Sequence, residues 1–305
     1  MNKLSTLTTE MRNQHSMNID NMSTMDILTT INREDMIVAK KVHDVLPEIE
    51  TAVDMIYHAF KQGGTLIYVG AGTSGRIGVL DAVECPPTFS TPPEMVQAVM
   101  AGGSGAFVKA AEGAEDDPCL GAKDLQDRQL TKQDVVVGIA ASGRTPYVAG
   151  AMKYAQEIGA KTIGLSSNKN AAISQYADIK IEVVTGPEIL TGSTRMKAAT
   201  AHKLILNMIT TTSMIKIGKV YENLMVDLKV SNNKLKERAK SIVSSITGVS
   251  SEESEDILET TDYKVKPAIV MIKTGVTHLA AKKYIDQANG FVRQAIELAK
   301  QSENH

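Results

Sequence analysis

The chain has 305 residues, a length that allows about two domains and a sizeable hydrophobic core. Its 33 Lys and Arg residues against 35 Asp and Glu residues leave a net charge of -2, which gives no electrostatic reason to expect nucleic acid or an anionic membrane as the main partner. With 43% hydrophobic and 22% charged residues, the composition is globular and excludes a disordered or fibrous chain.

The two cysteines cannot form a disulfide framework, and no Cys/His spacing suggests a metal site. The first residues, MNKLSTLTTEMRNQHS, lack the apolar stretch of a secretory signal. The most apolar stretch, from Leu204 to Ile217, is interrupted by Asn207 and Lys216, so it predicts a buried helix and no membrane span. We therefore expect a cytoplasmic protein.

The N-terminal part predicts an arm followed by two helices. The first 30 residues are polar, with one short helix expected over Thr24–Ile31. From Arg33 to Phe60, apolar residues recur every three or four positions, as in helices. Pro47 should divide this segment, because proline is tolerated in a first turn but not in a helix interior. A glycine pair at Gly63 should end the second helix.

Five β-rich runs then alternate with helical segments. The predicted strands are Thr65–Val69, Met95–Met100, Asp134–Ile139, Lys161–Leu165 and Ile179–Val184. The predicted helices are Arg76–Glu84, which Pro86 and Pro87 should end, then Tyr147–Glu157, and Lys197 to about Ile217. This alternation is typical of β-α-β units, so the predicted fold class is α/β, a three-layer arrangement with a parallel sheet of about five strands.

The composition changes to Lys, Ser and Glu after Asp227, which indicates a domain boundary. Helical segments follow at Leu235–Ile246, Ser251–Leu258, Val265–Thr274 and Thr277–Lys300. The stretch from Ser241 to Thr274 resembles a small ubiquitin-associated-type three-helix module, for which a helical cap on the sheet domain is favoured over peptide binding. The predicted organisation is residues 1–56 as N-terminal arm and helices, 57–230 as the sheet domain and 231–305 as a C-terminal helical module.

Hydroxyl-rich loops follow the predicted strands at the points where helices begin. Four loops share this composition: Gly72-Thr73-Ser74-Gly75-Arg76, Ser142-Gly143-Arg144-Thr145, Ser166-Ser167-Asn168 and Ser193-Thr194-Arg195. Ligands of open parallel sheets bind at the carboxyl ends of the strands, and small residues at a helix N-terminus suit an anion. One such loop could be a plain N-cap, but four on one side of a sheet favour a phosphate site.

The first loop also contains a G-x-G-x-x-G motif at Gly70, Gly72 and Gly75. A dinucleotide site would need an acidic residue at the end of the second strand, where the sequence has Ala101-Gly102-Gly103. The second hydroxyl-rich loop also has no place in that scheme. We therefore reject NAD binding and expect no cofactor.

Two glutamates are candidates for catalysis. Glu84 ends the predicted helix after the first loop, where the helix dipole and burial would raise the pKa of a carboxyl and suit a general acid. Glu115 shares a predicted helical face with Glu112 and Asp116, and crowded carboxylates can raise one another's pKa. A solvated helix end would have the same spacing, so both interpretations stay open.

The cysteines and histidines give weaker signals. Cys85 and Cys119 have no identifiable base nearby, and a buried thiol is the default for each. The six histidines show no paired spacing, and His202 inside the long helix is expected to be structural.

Several segments together resemble one known family. GAGTSGRIGVLDAVECPPTF, AGGSGAFVKAAEGAEDD, IAASGRTPYV and GPEILTGSTRMKAATAHKLILNMI are similar to the N-acetylmuramic acid 6-phosphate etherase family, a branch of the sugar isomerase (SIS) fold related to the glucokinase regulatory protein. The arm and the C-terminal helices resemble the family too, so the likeness covers nearly the whole chain.

The resemblance implies an SIS-type fold and a lyase that removes the D-lactyl group from N-acetylmuramic acid 6-phosphate during cell-wall sugar recovery, without a metal. Glu84 matches the family's proton donor and Glu115 its second catalytic acidic residue. The hydroxyls that hold the sugar phosphate in related SIS domains match Thr73, Ser74, Ser142 and Thr145. Gly72, Gly143, Ser193 and Arg195 complete the expected substrate and phosphate site. The resemblance also implies a homodimer, which fits the apolar helix after Arg195.

Alternatives on the same fold are a sugar-phosphate isomerase, for which Glu188 could be the base, and a non-catalytic sugar-phosphate-binding regulator. The group that would hold the lactyl carboxylate also stays open among Arg195, Lys197 and Arg76. The sequence leaves undecided whether the arm, with Arg12, Asn13, Asn18 and Asp20, reaches its own site or a neighbour's.

Overall fold

The structure is a computed structural model that describes residues 7–109, 111, 113–228, 230 and 232–303. The described helices include none that combines the length and apolar character required to cross a membrane. The chain forms two compact units. The first comprises Met1–Val83 and Glu94–Thr210, and the second comprises Glu84–Pro93 and Thr211–His305.

A five-stranded parallel sheet organises the first unit, as the sequence predicts. Its strands are β1 (Leu66–Gly70), β2 (Val96–Met100), β3 (Val135–Ile139), β4 (Lys161–Ser166) and β5 (Ile179–Glu182), in the order β2-β1-β3-β4-β5. Every residue of β1 and of β3 is buried. Since successive side chains of a strand point to opposite faces, both faces of the central sheet are covered.

Besides short 3-10 turns, twelve α-helices and a short hairpin make up the rest of the regular structure in the described residues. They are α1 (Thr24–His43), α2 (Leu46–Lys61), α3 (Gly72–Phe89), α4 (Gly105–Val108), α5 (Pro118–Asp127), α6 (Pro146–Ile158), α7 (Lys197–Lys216), β6 (Val220–Tyr221), β7 (Leu224–Met225), α8 (Asn233–Thr247), α9 (Ser251–Thr260), α10 (Val265–Thr274), α11 (His278–Gln287) and α12 (Val292–Glu303). Helices α8 to α12 share an apolar core that includes Val243, Leu258, Ile269 and Ala295.

Proline positions explain one confirmed boundary and one that was wrong. Pro47 lies in the first turn of α2, so it divides the N-terminal helices as predicted. Pro86 and Pro87 do not stop α3, which runs to Phe89. Both lie in its last turn, where the amide of Ser90 still donates to the carbonyl of Pro86 at 3.0 Å, so only two carbonyls lose their helical donor.

Two other predicted helices have different lengths. The short helix expected over Thr24–Ile31 continues to His43, with Ser23 as its N-cap. The single helix expected over Thr277–Lys300 is two helices, because Asn289 and Gly290 adopt left-handed backbone conformations with φ of 52° and 87°. The sequence prediction also missed α5, whose N-terminus is capped by the Asp117 carboxylate.

Candidate active site

The carboxyl ends of β1 and β3 form the point where the sheet order reverses. After β1 the chain crosses to β2 on one side and then returns to β3 on the other. Ligands of open α/β sheets bind in the crevice at such a point. We therefore expect a ligand site at the loops that follow β1 and β3.

Glycines shape the loop after β1 and leave its hydroxyls available. A Cβ on Gly70 would lie 2.6 Å from the amide nitrogen of Gly75, so the loop turns back on itself at van der Waals contact. Thr73 and Ser74 follow in the first turn of α3 and are half-buried. Their hydroxyls make no hydrogen bond to any part of the chain that the structure describes. Free hydroxyls beside a helix N-terminus are suited to bind a phosphate.

The loop after β3 has the same character. Gly143 has a φ of +71°, and a Cβ there would lie 2.3 Å from the Cβ of Ala171, so only glycine fits. The Ser142 hydroxyl accepts a hydrogen bond from the Arg144 amide at 3.2 Å and keeps its own proton to donate. Thr145 stands at the N-cap of α6, but its side chain does not cap the helix.

A cleft of about 290 Å³ opens beside this second loop. Ser142 and Arg144 lie on one side of it, Asn168 and Lys169 on another, and Thr8 of the N-terminal arm closes it. The lining is mostly polar and carries two cationic side chains. It is therefore suited to an anionic ligand.

The loop after β4 does not fit the expected phosphate cradle. Ser166, Ser167 and Asn168 are all buried. The Ser166 hydroxyl donates to the Asn168 carbonyl at 3.0 Å, and the Ser167 hydroxyl pairs with His202 Nε2 at 3.1 Å. The Asn168 amide donates to the Ala141 carbonyl at 3.0 Å. These three side chains hold the loop together and are not free for a ligand, whereas Lys169 and Asn170, which follow them, line the cleft.

The loop after β5 combines a structural anchor with exposed polar residues. Glu188 is fully buried, and its two carboxylate oxygens accept from the amides of Lys197 and Ala198 at 2.9 Å each, at the start of α7. Burial raises the pKa of Glu188, while these two hydrogen bonds act in the opposite direction. Ser193 is half-buried and Arg195 is exposed.

The N-terminal arm crosses the loops of its own chain. The Thr8 amide donates to Asn168 Oδ1 at 2.7 Å, and the Gly192 amide donates to the Thr9 carbonyl at 3.2 Å. Further along, the Ser16 hydroxyl donates to the Ile189 carbonyl at 2.8 Å. The arm thus fixes the loops after β4 and β5 within the first unit.

A buried ion pair that the sequence analysis missed joins α1 to α7. Lys197 Nζ lies 2.5 Å from Glu34 Oε2, and both side chains are at most 5% exposed. Asn13 and His15 of the arm bind the same carboxylate at 2.9 and 2.7 Å. Burial alone would raise the pKa of Glu34, but the hydrogen bonds from Lys197, His15 and Asn13 outweigh it and lower the pKa to about 2. A glutamate on the apolar stripe of α1 was the available signal.

Another missed group is Asp81, a buried carboxylate on α3. It accepts hydrogen bonds from the Tyr68 hydroxyl and Asn207 Nδ2 at 2.8 Å each, and from the Thr210 hydroxyl at 3.2 Å. Burial raises the pKa of Asp81, although these hydrogen bonds oppose the rise. An aspartate on the inward face of an apolar helix is the sequence signal that could have indicated it.

The structure distinguishes the three cations considered for a substrate carboxylate. Lys197 is held in the buried pair with Glu34. Arg76 donates to the carbonyls of Phe107 and Ala106 at 2.9 and 2.8 Å. The exposed Arg195 makes no ion pair within the part of the chain that the structure describes, so it is the cation left for a ligand.

Both candidate catalytic glutamates are exposed. Glu84 lies on α3 in the second unit, and it is not buried as its place on the predicted helix had suggested. Glu115 lies in a 3-10 turn over Ala114–Asp116 of the first unit and not on the α-helical face expected for it. Glu112, the third member of that face, is outside the described residues.

The remaining candidates are structural. His202 is fully buried, and burial lowers its pKa to about 4, so it is neutral at pH 7. Cys85 is buried as expected, whereas Cys119 is exposed, so the default of a buried thiol was wrong for it. The described residues hold no group of three or more side chains arranged to bind a metal.

Comparisons with known proteins give consistent results. Family models match in three places: the glucokinase regulatory protein N-terminal SIS domain over residues 48–156, the SIS domain over 121–211, and the C-terminal lid domain of glucokinase regulatory protein over 222–292. Among solved structures, a phosphoheptose isomerase from Francisella tularensis is 19% identical with a TM-score of 0.51, covering 63% of this chain and 98% of that one. That likeness shows the SIS fold alone.

Curated relatives match over nearly the full length. The N-acetylmuramic acid 6-phosphate etherase of Bacillus subtilis (strain 168) is 60% identical over 291 residues, which are 95% of this chain and 96% of that protein. The protein of the same name from Yersinia pestis (strain Pestoides F) is 55% identical over 293 residues, 96% of this chain and 99% of that protein.

Proposed function

The chain belongs to the N-acetylmuramic acid 6-phosphate etherase family, and on this premise we infer that it is a carbon–oxygen lyase. It cleaves the D-lactyl ether of N-acetylmuramic acid 6-phosphate and gives N-acetylglucosamine 6-phosphate and D-lactate. The observation that carries this function is the 60% identity to an etherase over 95% of the chain. The free hydroxyls at the ends of β1 and β3 support a phosphorylated substrate.

The chemistry is an elimination followed by hydration. An ether oxygen is a poor leaving group, but the open-chain sugar has an aldehyde at C1 that acidifies the C2 proton. A base removes that proton and leaves an enolate, and an acid then protonates the lactyl oxygen as it departs from C3, which gives an α,β-unsaturated aldehyde. Water then adds at C3. Two carboxyl groups with different pKa values are sufficient for both steps.

We assign the acid to Glu84 and the C2 base to Glu115. Both side chains are exposed, so neither carboxyl is buried away from ligands. The phosphate is held by the hydroxyls of Thr73, Ser74, Ser142 and Thr145, with Gly72 and Gly143 allowing close approach of the backbone. Ser193 and Arg195 bind the substrate near its lactyl carboxylate. Arg76 and Lys197 do not take this role, because each is already bonded within the protein.

The proposed organisation assigns the sugar phosphate to residues 57–230, with 1–56 as the arm and helices and 231–305 as a helical module. We also propose a homodimer that acts in the cytoplasm. Sedimentation of the purified protein at about twice the chain mass of 32.8 kDa tests the dimer.

An isomerase is disfavoured, because Glu188, its proposed base, is buried as the cap of α7.

The decisive experiment incubates the protein with N-acetylmuramic acid 6-phosphate in D2O and measures both free D-lactate and deuterium at C2. Lactate release with deuterium incorporation at C2 is expected for the wild type. An isomerase or a non-catalytic regulator would release no lactate. Absence of lactate would overturn the function itself.

Matched variants separate the two glutamates. Glu84→Gln should lower lactate release by about 10²- to 10⁴-fold and keep phosphate-ligand affinity and C2 exchange, whereas Glu115→Gln should lose C2 exchange. Glu50→Gln, an exposed glutamate on α2, is the control. Wild-type lactate release by Glu84→Gln would show that the acid is another group.

A further inference from the structure

A second cleft, of about 520 Å³, lies entirely within the second unit, and we call it the helical-unit cleft. Lys266 lies at its floor beside Asp227, while Tyr263 and Ile285 contribute to its walls and Lys264 and Lys282 line it as well. The volume is within the range of small-molecule sites, which combine apolar walls with a few polar groups.

A second ammonium group, that of Lys219, lies behind the floor and adds a positive charge beside it. Lys266 Nζ lies 2.8 Å from Asp227 Oδ2, and Lys219 Nζ lies 3.0 Å from the same oxygen. Two ammonium groups therefore share one carboxylate, and the Lys266 side chain is only 9% exposed. Burial lowers the pKa of Lys266, and the like charge of Lys219 adds to this against the opposing effect of Asp227. An anion in the cleft would neutralise the excess.

The lysines that line the cleft away from the floor are balanced by acidic side chains. The positive charges of Lys264 and Lys282 are offset by the negative charges of Asp262 and Asp286. Both aspartates are exposed, so solvent screens their charges. The net attraction for an anion therefore comes from the buried floor.

The wall beside the floor is held in an unusual conformation. Asp262 and Tyr263 are consecutive residues in the left-handed region, with φ of 52° and 57°. Non-glycine residues in this region cost free energy, so the surrounding structure must hold them in place. Lys236 Nζ lies 4.6 Å from the centroid of the Tyr263 ring, which helps to fix the ring in place.

We propose that the helical-unit cleft binds a small phosphomonoester of sugar size, with its phosphate at Lys266 and its carbon body against Tyr263 and Ile285. A phosphate carries nearly two negative charges and three acceptor oxygens, which suit the Lys266 ammonium group and the further positive charge of Lys219 behind it. A carboxylate offers less charge and fewer acceptors. The proposal does not depend on the etherase reaction.

The test is calorimetric titration of the full-length protein carrying Ser142→Ala and Thr145→Val, which weaken the proposed substrate site. The probes are N-acetylglucosamine 6-phosphate, inorganic phosphate, D-lactate and uncharged N-acetylglucosamine. One remaining site is expected, tightest for the sugar phosphate, weaker for inorganic phosphate and absent for uncharged sugar. A missing site, or equal or tighter binding of D-lactate or N-acetylglucosamine, would overturn the proposal.

Variants of the cleft sharpen the test. Lys266→Met should weaken the sugar phosphate at least tenfold, whereas Asp227→Asn should tighten it by adding net positive charge. Lys282→Glu is a surface change that leaves the buried floor intact and should weaken binding several-fold. Lys283→Met, an exposed neighbour on α11 that does not line the cleft, should change nothing. Unchanged binding in Lys282→Glu and Asp227→Asn would contradict the assignment even if Lys266→Met did not fold.

Discussion

The loops after β1 and β3 differ from the loop after β4, although all three are rich in hydroxyl groups at the same edge of one sheet. Thr73, Ser74 and Thr145 have hydroxyls without a partner in the described parts of the chain. Ser166 and Ser167 are buried, with their hydroxyls bonded inside the protein. The first two loops keep their hydrogen-bonding capacity for a ligand, whereas the third uses it to hold the fold.

The loop after β5 shows both behaviours within ten residues. Its ends are structural, since Glu188 caps α7 and Lys197 pairs with Glu34. Its middle presents Ser193 and the exposed Arg195. Composition therefore marks where a polar site can lie, but internal hydrogen bonding decides which residues remain free for it.

The largest expected effect is on stability and comes from a substitution at Lys197, one of the loop residues that hold the fold together. Lys197→Met should lower the free energy of unfolding by about 3–5 kcal/mol, because it leaves the buried Glu34 carboxylate without its cation. Urea unfolding at pH 7 measures it. Lys40→Met, an exposed lysine on α1, the helix that carries Glu34, should change it by less than about 0.5 kcal/mol.

A double variant provides a check on that result. Combining Lys197→Met with Glu34→Gln should recover part of the loss, since no buried charge is then unpaired. Two losses that simply add would mean that the pair is not the source of the effect.

The next effect is on catalysis and comes from a substitution in the loop after β3, whose hydroxyls are proposed to bind the substrate phosphate. Thr145→Val should lower kcat/KM by about 10- to 100-fold with stability unchanged, since a hydrogen bond to a charged group contributes about 1.5–3 kcal/mol. Ser167→Ala is the matched change in the loop after β4. It should leave kcat/KM unchanged and lower stability, because His202 loses the partner of its Nε2 atom. If the two variants exchanged these phenotypes, the comparison would be wrong.

The sheet could be predicted from the sequence because its strands are apolar runs bounded by glycine-rich or polar loops. All five predicted strands are present, each within two residues of its predicted ends. The helix breaks were harder, because they depend on backbone conformation. Asn289 adopts a left-handed conformation that no periodicity signals, and Pro86 is tolerated in a last turn.

The candidate site was only partly accessible to the same reasoning. Loop composition indicated Thr73, Ser142 and Thr145, and the resemblance added roles for Glu84 and Glu115, which remain predictions. Composition could not separate the loop after β4 from the others, because the partners of its hydroxyls, including His202, are distant in sequence. The Glu34–Lys197 pair was missed for the same reason, being 163 residues apart.

A smaller effect concerns how stability depends on pH through His202, the buried histidine that pairs with the loop after β4. The folded state holds the pKa of His202 at about 4, below the ordinary value of 6.5. The unfolded chain therefore takes up this proton first, so stability is complete above pH 6.5 and declines as the pH falls toward 4. Between pH 7.5 and 5 the loss from this group is about 2 kcal/mol.

Chemical unfolding across that pH range, with His202→Gln as the variant, measures this contribution. The variant should show a flatter profile between pH 7.5 and 5, and His58→Gln, an exposed histidine on α2, should keep the wild-type slope. An identical slope in His202→Gln would assign the pH dependence to another group.

The smallest effect probes how the arm holds the loop after β4. Thr9→Val removes one hydrogen bond, from Asn168 Nδ2 to the Thr9 hydroxyl at 3.2 Å, while Asn168 keeps its bond to the Ala141 carbonyl. We expect stability to fall by about 1 kcal/mol. Hydrogen exchange should quicken at the amides of Thr8 and Gly192, which the arm protects. Because this loop is structural, kcat/KM should stay at the wild-type level. A loss of kcat/KM as large as that of Thr145→Val would mean that the internally bonded side chains of Ser166, Ser167 and Asn168 also serve the ligand site, and it would remove the distinction between the two kinds of loop.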